Sequence, residues 1–158
     1  MNYGDILDAV ATVVPQDRPA LIHGDKIITW SEMTDRSNRL ARNLLANGAK
    51  HGDKIAFYTR NRPEYVEGLV AAFKARLTHV NVNYRYIENE LLYLLDNADA
   101  TVCIFSGEFT GQVEKIRAQL PGVKQWVQID DGYPIMDGAI DYEDYATEGD
   151  ASPLGIKR

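Results

Sequence analysis

Three arginines carry the clearest chemistry in this sequence. Arg60 and Arg62 follow the apolar run 54–58, and Arg85 follows the run 78–82. A guanidinium presents planar pairs of N–H donors that match a phosphate or carboxylate bidentately. If both runs are strands of a doubly wound sheet, these loops leave its carboxyl edge, where ligands gather, and two of them can grip one phosphate. The competing reading of Arg60 and Arg62 is a solvated surface paired with Glu64, Glu88 or Glu90. Tyr84 and Tyr86 bracket Arg85 in Asn-Tyr-Arg-Tyr. Aromatic rings beside a guanidinium can stack on a planar base or line a subunit interface, and packing on the following helix also accounts for them.

Other reactive groups form no constellation. His23, His51 and His79 are far apart and follow no metal-ligand spacing. His23 and His51 fall in turns, where solvation is expected. His79 enters an apolar strand, where an edge or core histidine with one hydrogen-bond partner is expected. The single cysteine, Cys103, lies in the apolar run 101–105 and reads as a buried, inert thiol. Glycines follow neither of the two common phosphate-cradling patterns. Gly107 and Gly111 flank a strand end, where a plain turn or a ligand contact is the choice. No metal site and no catalytic residue is assigned from spacing.

Bulk properties bound the function. The chain has 158 residues, a net charge of −6 and 45% hydrophobic residues. That length supports about one domain with a real core. The acidic balance argues against a nucleic-acid partner, which needs a basic face. No apolar run approaches the roughly 20 residues that span a bilayer, and no signal peptide is visible, so a cytoplasmic protein is expected.

The elements that must position the arginines follow from periodicity. Ile6, Ala9, Val10 and Val13 make one helical stripe, capped by Asn2 and ended by Pro15. Two apolar runs around His23-Gly24-Asp25-Lys26 predict a β-hairpin with Gly24 at positive φ. Ser31 is the expected cap of the next helix, whose apolar face is Met33, Leu40, Ala41, Leu44 and Leu45. Arg36, Arg39 and Arg42 lie largely off that face, and Gly48 closes the helix. Strands are then expected at 54–58, 78–82, 101–105 and 125–129, starting about every 23 residues, as successive βαβ units do. Helices fill the gaps at about 63–75 (cap Asn61), 87–97 and 109–120. The expected fold class is α/β, a mostly parallel sheet with helices on both faces. After 130 the sequence turns rich in turn formers. The expected division is an α/β subdomain over 1–130 and a turn-rich tail or linker over 131–158, with one short helix near 141–146.

The order of motifs adds a family resemblance. Pro19-Ala-Leu-Ile, Ile28-Thr-Trp-Ser-Glu-Met, His51-Gly-Asp-Lys-Ile-Ala, Pro63-Glu-Tyr-Val-Glu, Val80-Asn-Val-Asn-Tyr-Arg-Tyr and Glu90-Leu-Leu-Tyr-Leu-Leu-Asp-Asn-Ala-Asp-Ala resemble the opening of an acyl-CoA synthetase of the adenylate-forming, AMP-binding superfamily. The resemblance implies an N-terminal subdomain of such an enzyme. It implies a parent that converts a carboxylic acid, ATP and CoA to acyl-CoA, AMP and pyrophosphate through an acyl-adenylate, with Mg2+ beside the ATP. The family's Pro-Lys-ended phosphate loop and catalytic lysine do not occur in these residues. The piece alone is therefore expected to be inactive, with no tightly held cofactor and the remainder of the same polypeptide as its partner. By the same resemblance Arg85 matches an arginine near the CoA phosphate. A homodimer, a non-catalytic binding or dimerisation module on a degenerate scaffold, and other adenylate-forming ligases stay open. One departure is local: the family usually has Lys-Ala-Gly-Ala-Val-Pro where this chain has Lys74-Ala-Arg-Leu-Thr-His79.

Overall fold

A computed structural model describes residues 2–155. Helix α1 (Tyr3–Val13) starts at a reciprocal cap, Asn2 bonding the Asp5 N–H and Asp5 bonding back. Strands β1 (Pro19–His23) and β2 (Lys26–Thr29) form the expected hairpin, with Gly24 at φ 59°. The core sheet holds β3 (Lys54–Tyr58), β4 (Thr78–Asn81), β5 (Ala100–Ser106), β6 (Gln125–Ile129) and β7 (Ile140–Asp141). Its order is β4-β3-β5-β6-β7 and every pair is parallel. The other helices are α2 (Trp30–Ala46), α3 (Pro63–Lys74), α4 (Glu88–Asn97), α5 (Thr110–Ile116) and α6 (Tyr142–Thr147).

The central strands β3 and β5 are largely apolar on both faces because both faces are covered. Ile55 and Phe57, Val102 and Ile104, and Val127 and Ile129 meet Leu40 and Leu44 of α2, Ala71 and Ala72 of α3 and Tyr142 of α6. The alternate residues Ala56 and Tyr58, Cys103 and Phe105, and Trp126 meet Leu91 and Leu95 of α4 and Val113 and Ile116 of α5. Cys103 is fully buried, and desolvation raises its thiol pKa, so it is inert packing.

Several local expectations are corrected. The cap of α2 is Thr29, not Ser31: its hydroxyl takes the Glu32 N–H and Glu32 returns the bond to the Thr29 N–H. Helix α3 is preceded by Arg62 with no side-chain cap, so Asn61 does not cap it; Pro63 at its first position removes one donor that would need a partner. The helix expected over 109–120 is one α-helix, α5, flanked by two short 3-10 turns. Arg76 takes φ 56°, the left-handed conformation that explains why a glycine is usual there.

The turn-rich region after 130 is more ordered than its composition suggests. β7 extends the sheet and α6 buries Tyr142 and Ala146 in the first core layer. Buried Gln125 ties these parts together, donating to the Leu44 carbonyl at 3.0 Å and accepting from the Tyr145 hydroxyl at 3.0 Å. Residues 145–153 then run along the polar side of α2. Asn38 donates to the Ala151 carbonyl (2.8 Å), Arg39 to Gly149 (3.1 Å), Arg42 to Ser152 (2.8 Å) and Asn43 to Tyr145 (2.9 Å). Arg36 is turned inward. It bonds Glu67 at 2.8 and 3.2 Å and Glu143 at 2.9 and 2.8 Å, so one side chain joins α2, α3 and α6.

Candidate functional site

The parallel register brings the carboxyl ends of β3 and β5 level, Tyr58 opposite Phe105. Just beyond them the Thr59 and Ser106 hydroxyls lie 2.5 Å apart and fasten the two loop starts together. Arg60 leaves β3 here and Glu108 leaves β5. Arg60 Nε donates to both Glu108 oxygens, at 2.9 and 3.2 Å. The hydrogen bond to Glu108 is the first cause of the raised Arg60 pKa.

The loop after β4 supplies the other half. Asn83 is the first residue of a turn: its carbonyl accepts the Tyr86 N–H at 2.9 Å, and its side-chain oxygen accepts the Arg85 N–H at 3.0 Å. Asparagine is favoured here because its side chain can mimic the turn's own hydrogen bond. The Tyr58 hydroxyl donates to the Tyr86 carbonyl at 2.6 Å and pins the turn to β3. Burial pushes the Tyr58 phenol up to about 12, so it remains a donor at neutral pH. The turn thus presents Tyr84 and Arg85 at its tip.

The two halves meet on the Tyr84 ring. The Arg60 guanidinium carbon lies 4.6 Å from its centroid and that of Arg85 lies 5.7 Å away. Both distances are within cation–π reach. Beside them a cleft of about 490 Å³ is lined by Thr59, Asn61, Tyr65, Asn81, Asn83, Tyr84 and Tyr86, among others. Its size falls in the range of small-molecule sites, and it sits at the strand carboxyl ends.

Of the three arginines singled out from sequence, Arg60 and Arg85 come together and Arg62 does not join them. Arg62 turns to Glu64 at 2.8 Å and to the Asp130 carbonyl at 3.3 Å. Arg62 takes one of the partners expected for it, Glu64, but that carboxylate is buried and not solvated. Arg60 pairs too, but with Glu108, which is absent from the partners expected for it. Tyr84 lies under Arg60, whereas Tyr86 packs against the second core layer.

Gly107 is no open ligand cradle. A Cβ there would overlap Asp131 Oδ1 and stand 2.9 Å from both Gln128 Nε2 and Tyr133 Cβ, so the glycine admits the 130–136 loop. Buried Gln128 holds that loop by donating to the Pro134 carbonyl and accepting from the Met136 N–H. Asp131 accepts the Glu108 N–H at 2.9 Å. Sequence reasoning missed Glu108, Gln128 and Asp131 because their roles depend on which strands are neighbours.

The remaining groups stay outside the cleft's polar rim. His79 is half-buried on β4 and takes the expected single hydrogen bond, Nε2 to the Tyr65 hydroxyl at 3.0 Å. Desolvation holds its pKa below the ordinary value. His23 and His51 are exposed. Among the described residues, no group of three or more His, Cys, Asp or Glu could hold a metal ion. None of the described helices is long and apolar enough to cross a membrane.

The chain is similar to known proteins over most of its length. The 3-oxocholest-4-en-26-oate–CoA ligase of Rhodococcus rhodochrous is 37% identical over 146 residues, covering 90% of this chain and 26% of the relative. The medium-chain acyl-CoA ligase Mig of Mycobacterium avium is also 37% identical, over 96% of this chain and 30% of that protein. The chain therefore spans about a quarter to a third of the length of the curated relatives it matches. Among solved structures, an anthranilate CoA ligase in complex with anthranoyl-AMP superposes with TM-score 0.88 at 24% identity, over 96% of this chain and 29% of that one. The N-terminal domain of FACL13 from Mycobacterium tuberculosis superposes with TM-score 0.84 at 24% identity, over 99% of this chain and 38% of that one. At these identities the structures establish the shared α/β fold. The model of the AMP-binding enzyme family matches residues 7–152, nearly the whole described chain, and the protein belongs to that family.

Proposed function

We propose that this chain is the N-terminal α/β part of an acyl-CoA ligase, and that it contributes a CoA-binding rim and no catalytic residue. The observation that carries the reading is the gathering of Arg60 and Arg85 on the Tyr84 ring at the carboxyl edge of the sheet. Two cations against one aromatic ring suit a phosphate monoester attached to a planar base. The CoA nucleotide has both parts. Arg85 is exposed at a turn tip and is assigned the phosphate contact; Tyr84 offers its ring, and Asn83 holds the turn. The named curated relatives are CoA ligases, which supports this choice of ligand.

ATP and Mg2+ belong to the same proposed reaction, but the described residues do not fit them. They offer no glycine-rich phosphate loop and no carboxylate cluster for a metal. No step through either group is assigned here. A cytoplasmic location and a fatty or related acid as substrate accompany the proposal.

Isothermal titration of the protein with CoA and with its dephospho analogue tests the rim. CoA should bind more tightly, and Arg85→Ala should shrink the difference. Equal binding of both ligands to the unmodified protein would remove Arg85 from the phosphate. ATP–pyrophosphate exchange by residues 1–158 should stay at background; turnover above it would refute the assignment of no catalytic residue.

A further inference from the structure

We propose that Glu108 is a built-in competitor for the phosphate: it occupies Arg60 in the unliganded protein and must release it when an anion binds. This inference rests on the reading of the Arg60–Tyr84–Arg85 rim as a phosphate grip. The geometry is that of a substitute anion. Both Glu108 oxygens face Arg60 Nε, at 2.9 and 3.2 Å, while the guanidinium carbon stays 4.6 Å from the Tyr84 ring centre. The Glu108 carboxylate thus sits at the mouth of the rim and neutralises one of its two cations.

The backbone and the side chain of Glu108 are held differently. Its N–H is fixed by Asp131 at 2.9 Å, in a loop crowded onto Gly107 and anchored by Gln128. Its carboxylate has Arg60 as its one ion-pair partner among the described residues. The Arg60 side chain is 56% exposed and that of Glu108 28%. A rigid base with a releasable carboxylate is what a competitor requires. An entering phosphate offers the same acceptor geometry with more negative charge, so it can replace Glu108 on Arg60. A neutral or weakly charged ligand cannot, and Glu108 thereby favours dianionic ligands over lesser anions.

The size of the effect follows from the exposure of the pair. Exposed ion pairs are individually weak, so removing the competition should tighten phosphate binding only about three- to fivefold. Titration of CoA, dephospho-CoA and inorganic phosphate into the protein and into Glu108→Gln, Arg60→Ala and the double variant is the test. Circular dichroism confirms the fold of each. Glu108→Gln should tighten CoA about three- to fivefold, leave dephospho-CoA nearly unchanged, and lose its gain when Arg60 is also replaced. Binding of CoA that Glu108→Gln does not tighten, or a gain that persists without Arg60, overturns the competitor role and leaves the rim reading intact. Failure of all four proteins to distinguish CoA from dephospho-CoA overturns the rim reading, and this inference with it.

Discussion

Replacing Arg36 by Met would expose how the α2–α3–α6 junction is held. Methionine keeps much of the arginine stem's volume and removes the guanidinium. Two losses follow, of different size. The Glu143 side chain is 41% exposed, so its half of the fork is screened and worth no more than about 1 kcal/mol. The Glu67 side chain is 0% exposed. Without Arg36 it keeps the Tyr142 hydroxyl, at 3.0 Å, as its hydrogen-bond donor. Removing one partner of a buried pair typically costs about 3–5 kcal/mol, because the other charge stays buried and uncompensated. A domain of this size has roughly 5–15 kcal/mol of stability in all. With a urea m-value of roughly 2 kcal/mol/M, the unfolding midpoint should fall by about 1.5–2.5 M.

The pH dependence gives an independent check. Burial already raises the Glu67 pKa in the intact protein, against the opposing pull of Arg36. In the variant that pull is gone, so the carboxyl rises further. A carboxyl raised above its unfolded value takes up its proton in the folded state first. Folded stability therefore improves as pH falls through the folded pKa towards the unfolded value. The deficit of Arg36→Met should shrink between pH 7 and pH 5. Adding Glu67→Leu should restore most of the loss, since an apolar pair of similar volume is often as stable as a buried ion pair. Urea titrations at several pH values measure all three quantities. A loss under about 1 kcal/mol at pH 7, or a loss that does not change with pH, would refute the buried-charge argument.

Three further outcomes are expected. Gly107→Ala should destabilise by about 1–3 kcal/mol, because its methyl overlaps Asp131 and must displace the 130–136 loop; hydrogen exchange of the Glu108 amide reports the displacement. Asp99 takes φ 51° just after α4, so Asp99→Gly should gain about 0.5–1 kcal/mol and Asp99→Val should lose a comparable amount in urea melts. His79 has its folded pKa lowered by desolvation, so the unfolded chain takes up the proton first, and its contribution is lost as pH falls through the unfolded pKa and below. His79→Phe should therefore show a shallower loss of stability between pH 7 and pH 5.5 than the unmodified protein.

Much of the fold was legible because each signal is local. The strands expected at 54–58 and 125–129 match β3 and β6 to the residue, and both faces of each are largely buried, as inner strands of a parallel sheet should be. Pro63, Gly24 and Gly48 marked a helix start, a hairpin turn and a helix end through fixed backbone preferences. Cap choice was less legible. Thr29 and Ser31 both carry hydroxyls, and the decision went to the residue whose third follower is Glu32, which closes the reciprocal cap. β7 is only two residues long and has no periodicity to read; it pairs with β6 because α6 is drawn onto the core by Tyr142.

The candidate site was legible in part as a list of residues and illegible as an arrangement. Arg60 and Arg85 stood out from their place after apolar runs, yet what distinguishes them from Arg62 is strand order. β3 lies between β4 and β5, so a residue leaving its end can meet loops from both neighbours. Arg60 does: Glu108 comes from the β5 side and Tyr84 from the β4 side. Arg62, two residues later, has already entered the approach to α3 and is claimed by Glu64 in that helix's first turn, where a carboxylate is favoured by the helix N-terminus. The same sequence feature, an arginine after a strand, therefore yields a cation held over the Tyr84 ring in one case and a helix-start ion pair in the other. Two residues of chain at the middle of a parallel sheet decide between them.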